Sequence, residues 1–367
     1  MILLTYPEAM VVGLIQGVTE LFPVSSLGHN VLIPALVGGQ WARDLNVSKP
    51  ESPYLAYIVG LHVATALAMI IYFWRDWLRI VSGFFSSIAR RRVDTPDQRL
   101  AWLIVLATIP VGIAGLLLEH LFRVAFSKPI PTALFLACNG LILLGAERLR
   151  RLRGDPAAPP RPVRGLCATG PAPETTPVGG TFPADRITQA GGTVPAAGTT
   201  PATGAAAAGV TPRAQRQTEW SGSQLAGDDA TAGQAADARL ARIPVGRAVL
   251  IGSAQILALL PGISRDGIVM ATGLLRGLTR EDAVRFSFLL SAPVIFAAGA
   301  LKVPDLMGPL GNGIRGQVLA GSLLSGIGAY VSLRYLVRYF SKSRSLVPFG
   351  IYCLVAGIGS ALYLTLR

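Results

Sequence analysis

Charged side chains are scarce in this sequence. Asp, Glu, Lys and Arg make up 14% of its 367 residues, whereas a soluble domain usually has about 25%. Hydrophobic residues make up 51%, and the mean hydropathy is +0.50. This composition excludes an ordinary soluble domain. It predicts an integral membrane protein, because several apolar runs approach the roughly 20 residues that cross a bilayer.

Cysteine is also rare. Cys138, Cys167 and Cys353 are widely separated, and this spacing predicts neither a disulfide framework nor a cysteine metal site. Acidic residues are outnumbered, which leaves a net charge of +13. The arginines fall between the apolar runs, as the positive-inside rule predicts. The charge therefore does not indicate nucleic-acid binding, and membrane lipids are the expected surroundings.

Long apolar runs predict six membrane-spanning helices, at 54–74, 100–118, 130–147, 283–301, 316–338 and 347–366. Two further apolar segments, 6–39 and 246–279, are interrupted by Pro, Gly, Ser and charged residues. Interrupted backbone persists at membrane depth only where protein buries it or where it lines a wet cavity. Both segments are therefore interpreted as re-entrant helical hairpins.

The two interrupted segments resemble each other, which predicts an internal repeat. At a constant offset of 239, Gly13, Gln16, Ser25, Ser26 and Gly28 correspond to Gly252, Gln255, Ser264, Arg265 and Gly267. Each segment precedes three predicted spans, so the second copy is inverted relative to the first. Such folds place their site near the midplane, where the broken segments meet. The predicted fold is an all-α polytopic membrane protein with six transmembrane helices and two re-entrant hairpins in an inverted-topology repeat.

The repeat also predicts the domain organisation, with a first repeat at 1–150 and a second at 244–367. Between them, 151–243 is interpreted as a disordered cytoplasmic linker, because 154–240 is rich in Ala, Gly, Thr and Pro. Such a composition cannot bury enough apolar surface to offset its ordering entropy. The arginine-rich loops place both chain termini outside the cell.

The stretch QGVTELFPVSSLGHN, residues 16–30, concentrates polar groups in an apolar segment. Gln16 and Glu20 are four residues apart and share one helix face. One carboxylate with one amide oxygen suits a divalent cation such as Mg²⁺, which leaves its other positions to water and phosphate. The alternative is a glutamate that pairs with an arginine for helix packing.

Two serines and a histidine follow at the break in this segment. Ser25 and Ser26 could cap a helix N-terminus, and a helix N-terminus is also an anion site. His29 could deprotonate a hydroxyl or attack phosphorus itself, although a lone histidine is often a hydrogen-bonded structural residue. His62 and His120 lie in or beside apolar runs and are interpreted as structural.

The second break, PGISRDG at residues 261–267, contains Arg265. A guanidinium at membrane depth needs an anion, and its planar fork suits phosphate. The alternative is a salt bridge to Glu20 or Asp266. The two arrangements could alternate, with a substrate displacing one partner.

The two motifs resemble those of a known family, the bacitracin-resistance undecaprenyl pyrophosphate phosphatases. QGVTELFPVSSLGH resembles the family's (E/Q)xxxE and PVSSxGH signature, and PGISRDG resembles its PGxSRSxxT motif. The similarity covers nearly the whole chain except 154–240, and it includes FSFLLSAPV after the second motif.

The resemblance implies a multi-pass hydrolase of the bacterial inner membrane. It would remove the terminal phosphate of a polyprenyl diphosphate lipid and thereby recycle the carrier for cell-wall synthesis. A divalent cation, Mg²⁺ or Ca²⁺, would bind at Gln16 and Glu20. The implied catalytic residues are Glu20, Ser26, His29 and Arg265. The implied substrate-binding residues are Ser25, Gly28, Gly262, Ser264, Arg265 and Asp266.

Three positions depart from the family pattern. Leu27 and Val269 replace threonines, and Asp266 replaces a serine, so three hydroxyls are lost and one acid is gained. Asp266 could add a metal ligand or repel the diphosphate. One alternative is a diverged homologue with an altered prenyl-phosphate substrate. Another is a transporter or flippase for a lipid-linked or anionic solute, because inverted repeats with broken helices are also transporter architecture. Transport does not require the serine and histidine of the first motif.

Overall fold

The computed structural model describes residues 4–45, 53–126, 128–153, 233–308, 313–342 and 344–366. The chain divides into two units. The smaller unit, Pro159–Ala226, lies outside the described residues. The larger unit, Met1–Ala158 with Gly227–Arg367, contains the helices and the candidate site.

The described residues form helices, and no strand occurs among them. Before the predicted linker lie α1 (Tyr6–Leu21), α2 (Ser26–Val37), α3 (Gly39–Asp44), α4 (Pro53–Tyr72), α5 (Trp74–Arg90), α6 (Pro96–Phe126) and α7 (Pro129–Leu152). After it lie α8 (Gly233–Leu240), α9 (Val245–Ser253), a 3₁₀ segment (Ala254–Leu259), α10 (Arg265–Leu275), α11 (Arg280–Met307), α12 (Arg315–Ser341) and α13 (Val347–Leu366). The all-α prediction is confirmed for these residues.

Five helices in the described part of the chain are long and apolar enough to cross a membrane: Pro96–Leu118, Pro129–Leu152, Arg280–Ala300, Arg315–Ser341 and Val347–Leu366. Two bent pairs raise the number to seven if each is one span: Tyr57–Tyr72 with Trp74–Arg90, at 87°, and Gly233–Leu240 with Val245–Leu259, at 106°. Five of the predicted runs coincide with the five helices. The sixth corresponds to α4, which bends sharply into α5. A polytopic membrane protein is confirmed at this level.

The arginine-rich segment after α4, predicted as a loop, contains the helix α5 instead. Its exposed large hydrophobic side chains recur at helical spacing, at Trp74, Leu78, Val81, Phe85 and Ile88. Its polar residues include Asp76 and Arg79, which form an ion pair of 2.9 Å. An amphipathic helix of this kind is typical of a segment that lies along a membrane interface.

Residues 233–243, which their composition placed in the predicted linker, belong to the helical body instead. Leu240 of α8 is fully buried. Asp237 accepts hydrogen bonds of 2.6 Å from Arg285 Nε and of 2.6 Å from an Arg79 guanidinium nitrogen. Apolar burial and a paired carboxylate thus stabilise a helix that composition alone did not predict. The rest of the predicted linker lies outside the described residues, apart from its first three residues at the end of α7.

Each interrupted segment packs its first helix against a long helix of the other half. α1 contacts α12, and α9 contacts α6. A Cβ on Gly13 would collide with the carbonyl oxygen of Gly321, and one on Gly252 with that of Ala107. Small residues allow helices to approach this closely in membrane proteins. α7 pairs with α13 and also contacts both α2 and α10, which brings the two breaks together.

Candidate active site

Both interrupted helices restart with the same serine cap. Ser25 Oγ accepts a hydrogen bond of 3.2 Å from the N–H of Gly28, and Ser264 Oγ accepts one of 3.1 Å from the N–H of Gly267. These caps satisfy N–H groups that the first turns of α2 and α10 would otherwise leave unpaired. The predicted capping role of Ser25 is therefore confirmed. Both helix N-termini lie at the breaks, where their dipoles favour an anion.

The two breaks are in contact with each other. A Cβ on Gly28 would lie 3.1 Å from the Cα of Gly262, which has a φ of +108° that L side chains rarely adopt. Asn139 of α7 links the breaks, because its Oδ1 accepts from the Ser264 N–H at 3.1 Å and its Nδ2 donates to the Pro23 carbonyl at 3.0 Å. Asn139 was not among the predicted site residues, although an amide within a predicted span is a signal of a polar contact.

A buried carboxylate, Glu20, joins polar groups from three helices. Its Oε2 accepts a hydrogen bond of 2.9 Å from Gln16 Nε2 and a short one from the Ser26 hydroxyl. Its Oε1 accepts one of 3.1 Å from Arg265. Although 245 residues separate Arg265 from Glu20 in sequence, the structure brings them together. Of the partners considered for Arg265, the ion pair forms with Glu20.

His62 of α4, which the sequence pattern suggested to be a structural residue, is a member of this cluster. Its Nε2 lies 3.4 Å from Glu20 Oε2 and 3.3 Å from Gln16 Nε2. Its Nδ1 lies 2.9 Å from the carbonyl oxygen of Ile58, one turn earlier. An ionisable residue within an apolar span is a functional-site hypothesis by default, and that signal was present in the sequence.

His29 is engaged away from the hydroxyl that it was expected to deprotonate. Its Nδ1 lies 2.7 Å from the Ser25 carbonyl oxygen, and its Nε2 lies 2.7 Å from the hydroxyl of Tyr352 on α13. The hydroxyl of Ser26 donates to Glu20 instead. The structure therefore pairs the serine with a carboxylate and the histidine with a tyrosine.

The carboxylate of Asp266 is bonded to α11. Its Oδ1 accepts hydrogen bonds of 2.7 Å from Ser287 and 2.5 Å from Ser291, both in the segment FSFLLSAPV. Two hydroxyls thus stabilise a carboxylate that is almost completely buried. This arrangement explains how an acid is accommodated beside Arg265. A direct contact between Asp266 and the substrate stays a prediction.

Gln16 and Glu20, the predicted cation ligands, lie side by side on α1. Among the described residues, no group of three or more His, Cys, Asp and Glu side chains is placed to hold a metal ion. One carboxylate and one amide can bind Mg²⁺ when water and phosphate oxygens complete its coordination. The residues present therefore fit a cation that binds together with a phosphate ligand.

The fold and the site together define a class of protein: a polytopic membrane protein whose buried polar site lies between two interrupted helices. The model of one protein family, described as bacitracin resistance protein BacA, matches residues 9–161 and 193–359. These matched segments make up most of the chain. The chain belongs to this family.

Curated relatives are similar over nearly their whole length. The chain is 52% identical over 364 residues to a protein named undecaprenyl-diphosphatase from Mycolicibacterium paratuberculosis, with 99% of both chains covered. It is 52% identical over 359 residues to undecaprenyl-diphosphatase 1 of Frankia casuarinae, with 96% of both covered. It is 34% identical over 361 residues to undecaprenyl-diphosphatase 2 of Chromobacterium violaceum, covering 97% of this chain and 98% of the relative.

Proposed function

We propose that this protein hydrolyses undecaprenyl diphosphate to undecaprenyl phosphate and inorganic phosphate. This activity recycles the lipid carrier for cell-wall synthesis and confers resistance to bacitracin. The observation that carries the proposal is the contact of Glu20 with Ser26 and Arg265 across the two breaks. A carboxylate that can accept a proton, a hydroxyl and a guanidinium are thereby held in one site. The relatives are named for this activity.

In this proposal, Arg265 and the two helix N-termini bind the diphosphate. The Arg265 side chain is 23% exposed and the Glu20 side chain 5%, so the guanidinium has an accessible edge while its carboxylate partner is buried. A phosphate can share or replace Glu20 as the partner of that fork. The prenyl tail would extend among the spanning helices.

The Ser26 hydroxyl is the proposed nucleophile, because its hydrogen bond to Glu20 prepares a proton acceptor. Ser26 Oγ attacks the terminal phosphorus and its proton moves to Glu20. The bond from that phosphorus to the bridging oxygen breaks, and undecaprenyl phosphate leaves. Water then attacks the phosphorus of the phosphoserine, the bond from Ser26 Oγ to phosphorus breaks, and Glu20 returns its proton to Ser26 Oγ. Inorganic phosphate leaves with the oxygen and protons of that water. His29 remains the alternative nucleophile or water-positioning group. In that case, the hydrogen bond between His29 Nε2 and the Tyr352 hydroxyl would have to break first.

A divalent cation near Glu20, Mg²⁺ or Ca²⁺, is part of the proposal. When bound, it supplies neutralisation of the charge on the phosphate oxygens. Glu20 and the amide oxygen of Gln16 are the side chains that would hold it. Excess chelator should therefore abolish phosphate release, and full activity in chelator would remove the cation from the mechanism.

The inverted-topology repeat, with six spans, two re-entrant hairpins and both termini outside, remains our interpretation of the membrane arrangement. It is supported by the matched serine caps and by the reciprocal packing of α1 on α12 and α9 on α6. We place the protein in the bacterial inner membrane. A reporter fused after Arg367 should read as external, and a cytoplasmic reading would contradict this topology.

Phosphate release by the purified protein tests the activity directly. The protein in detergent should release phosphate from undecaprenyl diphosphate, while Ser26→Ala and Glu20→Gln should lose most of the turnover and still accumulate in the membrane. A transporter would instead move a lipid or anion between leaflets without releasing phosphate. Full phosphate release by Ser26→Ala would exclude the serine as nucleophile.

A further inference from the structure

Three side-chain atoms face one another beside the break in the first interrupted segment. Gln16 Nε2 lies 2.9 Å from Glu20 Oε2 and 3.3 Å from His62 Nε2, and these last two atoms lie 3.4 Å apart. The three atoms therefore form a small, nearly regular triangle. Gln16 and Glu20 come from one face of α1, and His62 comes from α4.

The size of this triangle matches one face of a metal coordination shell. With metal–ligand bonds of about 2.1 Å, neighbouring ligands are roughly 3.0 Å apart in an octahedral shell and roughly 3.4 Å apart in a tetrahedral one. The three measured edges span that range. Three protein ligands on one face would leave the opposite positions open for phosphate oxygens and water.

The histidine is oriented as a metal ligand would be. Its Nδ1 lies 2.9 Å from the Ile58 carbonyl oxygen, a distance at which Nδ1–H donates to that oxygen and the Nε2 lone pair faces the triangle. Metal-binding histidines almost always use their other ring nitrogen in this way, which fixes the tautomer and the ring orientation.

The amide of Gln16 can present oxygen to the triangle without losing its other partner. Its Oε1 accepts a hydrogen bond of 2.6 Å from Asn30 Nδ2. If both amides rotate by half a turn, the Gln16 oxygen faces the triangle and Gln16 Nε2 donates to Asn30 Oδ1. The nitrogen and oxygen of an amide occupy nearly equivalent positions, so the exchange preserves the packing.

We propose that Gln16, Glu20 and His62 together form a three-ligand site for a divalent cation, a proposal that rests on the proposed phosphatase site. Arg265 bonds Glu20 Oε1, whereas Oε2, which also accepts the hydrogen bond from Ser26, belongs to the triangle. The guanidinium and the cation therefore use different carboxylate oxygens. An imidazole ligand favours Mn²⁺ and later transition metals over Ca²⁺, which prefers an all-oxygen shell.

Pulsed electron paramagnetic resonance of the Mn²⁺-loaded protein tests the site without any turnover. The spectrum should show coupling of Mn²⁺ to a histidine nitrogen, and ¹⁵N-histidine labelling of the otherwise unchanged protein should alter that coupling. His62→Gln should abolish the coupling and weaken Mn²⁺ binding on the order of 10–100-fold, the range that perturbing a ligand's surroundings produces.

His29→Gln is the matched control, because it removes another imidazole near the site and should leave the coupling unchanged. Absence of Mn²⁺ binding, or of nitrogen coupling in the labelled protein, would overturn the proposal, as would coupling that persists in His62→Gln. Phosphate release is measured separately. Release without nitrogen coupling would reject the three-ligand site alone, whereas coupling without release would reject the phosphatase function and retain the metal site.

Discussion

The two interrupted segments share a backbone device and differ in the chemistry that they carry. Both restart a helix with a serine whose side chain caps the N–H of a glycine three residues later. The first contributes a carboxylate and a hydroxyl, from Glu20 and Ser26, and the second contributes the guanidinium of Arg265. The matched serine caps thus position two helix N-termini, while the side chains beside them are complementary.

The corresponding glutamines show the same divergence. Gln16 in α1 is hydrogen bonded to Glu20 and Asn30. Gln255 lies in a 3₁₀ segment, where its Nε2 donates to the Gly252 carbonyl and its buried Oε1 has no hydrogen-bond partner in the described part of the chain. Polar side chains therefore surround Gln16, whereas Gln255 is bonded only to the backbone among the described residues. The following four predictions test this asymmetry.

The largest effect is expected from Arg265, the ionic contribution of the second segment. Arg265→Ala should lower kcat per folded molecule by about 10³–10⁵, because a positioned arginine stabilises the phosphoryl transition state by that much. Arg265→Lys keeps the charge without the planar fork and should still lose about 10²-fold, or about 2.7 kcal/mol of barrier.

Turnover of purified phosphatase, normalised to folded protein, measures both Arg265 variants. Arg90→Ala is the control, because Arg90 is an exposed residue at the end of α5. A merely structural salt bridge would give the opposite pattern. In that case Arg265→Lys would be nearly silent, and Arg265→Ala would lower thermal stability more than turnover.

Asn139 should contribute to stability and to activity, because its side chain links the two interrupted segments. Asn139→Ala leaves the Ser264 N–H without its acceptor and leaves the Pro23 carbonyl with only the 3.7 Å hydrogen bond from the Cys353 thiol. Each buried unsatisfied group costs about 1–3 kcal/mol. We expect a lower midpoint of thermal unfolding in detergent together with a loss of activity. Asn139→Asp retains the acceptor for Ser264 but turns a buried carboxylate oxygen towards the Pro23 carbonyl, so it should be at least as destabilising. Equal stability of wild type and Asn139→Ala would show that the link is dispensable.

The two capping serines should respond oppositely to glycine. Ser25 has a φ of +68° and Ser264 a φ of −82°. A left-handed conformation costs a non-glycine residue about 1–2 kcal/mol, and replacing a cap by glycine costs a few tenths. Ser25→Gly should therefore be neutral or stabilising by about 1 kcal/mol, whereas Ser264→Gly should be mildly destabilising.

Unfolding midpoints of the two glycine variants, compared with Ser25→Ala and Ser264→Ala, measure this difference. Both alanine variants should be destabilised, because they lose the cap without relieving the backbone. Equal shifts at the two positions would mean that the strain at Ser25 does not contribute to stability.

The smallest effect is expected from the segment between α7 and α8. Deleting 160–226, which stops before α8, should leave membrane accumulation and phosphate release nearly unchanged, since its composition offers little apolar surface to bury. A longer deletion that continues through α8 is the contrast. It removes Asp237, one of the carboxylates that pair with Arg285 and Arg79, both of which also pair with Asp76. Loss of activity in the shorter deletion would assign that segment a structural role.

The sequence by itself determined the local features of this protein. The hydropathy pattern predicted the long helices, the prolines and glycines predicted both interruptions, and Ser25 could be read as a helix cap. Each of these features depends on residues within a few positions of one another, because helix periodicity and capping are short-range effects. The offset of 239 between the two motifs also indicated that Glu20 and Arg265 belong to one site.

The tertiary structure decided which polar groups meet. It brings His62 within 3.4 Å of Glu20 and joins His29 to Tyr352 by a hydrogen bond. The carboxylate of Asp266 accepts hydrogen bonds from α11, and Asn139 links the two breaks. The tertiary structure also added α8 to the helical body. These contacts join residues that are 21 to 323 positions apart, and they depend on which helix faces pack together. The hydrophobicity of each helix face can be predicted from a single sequence. The helix that packs against that face cannot, because many pairings bury a similar apolar surface.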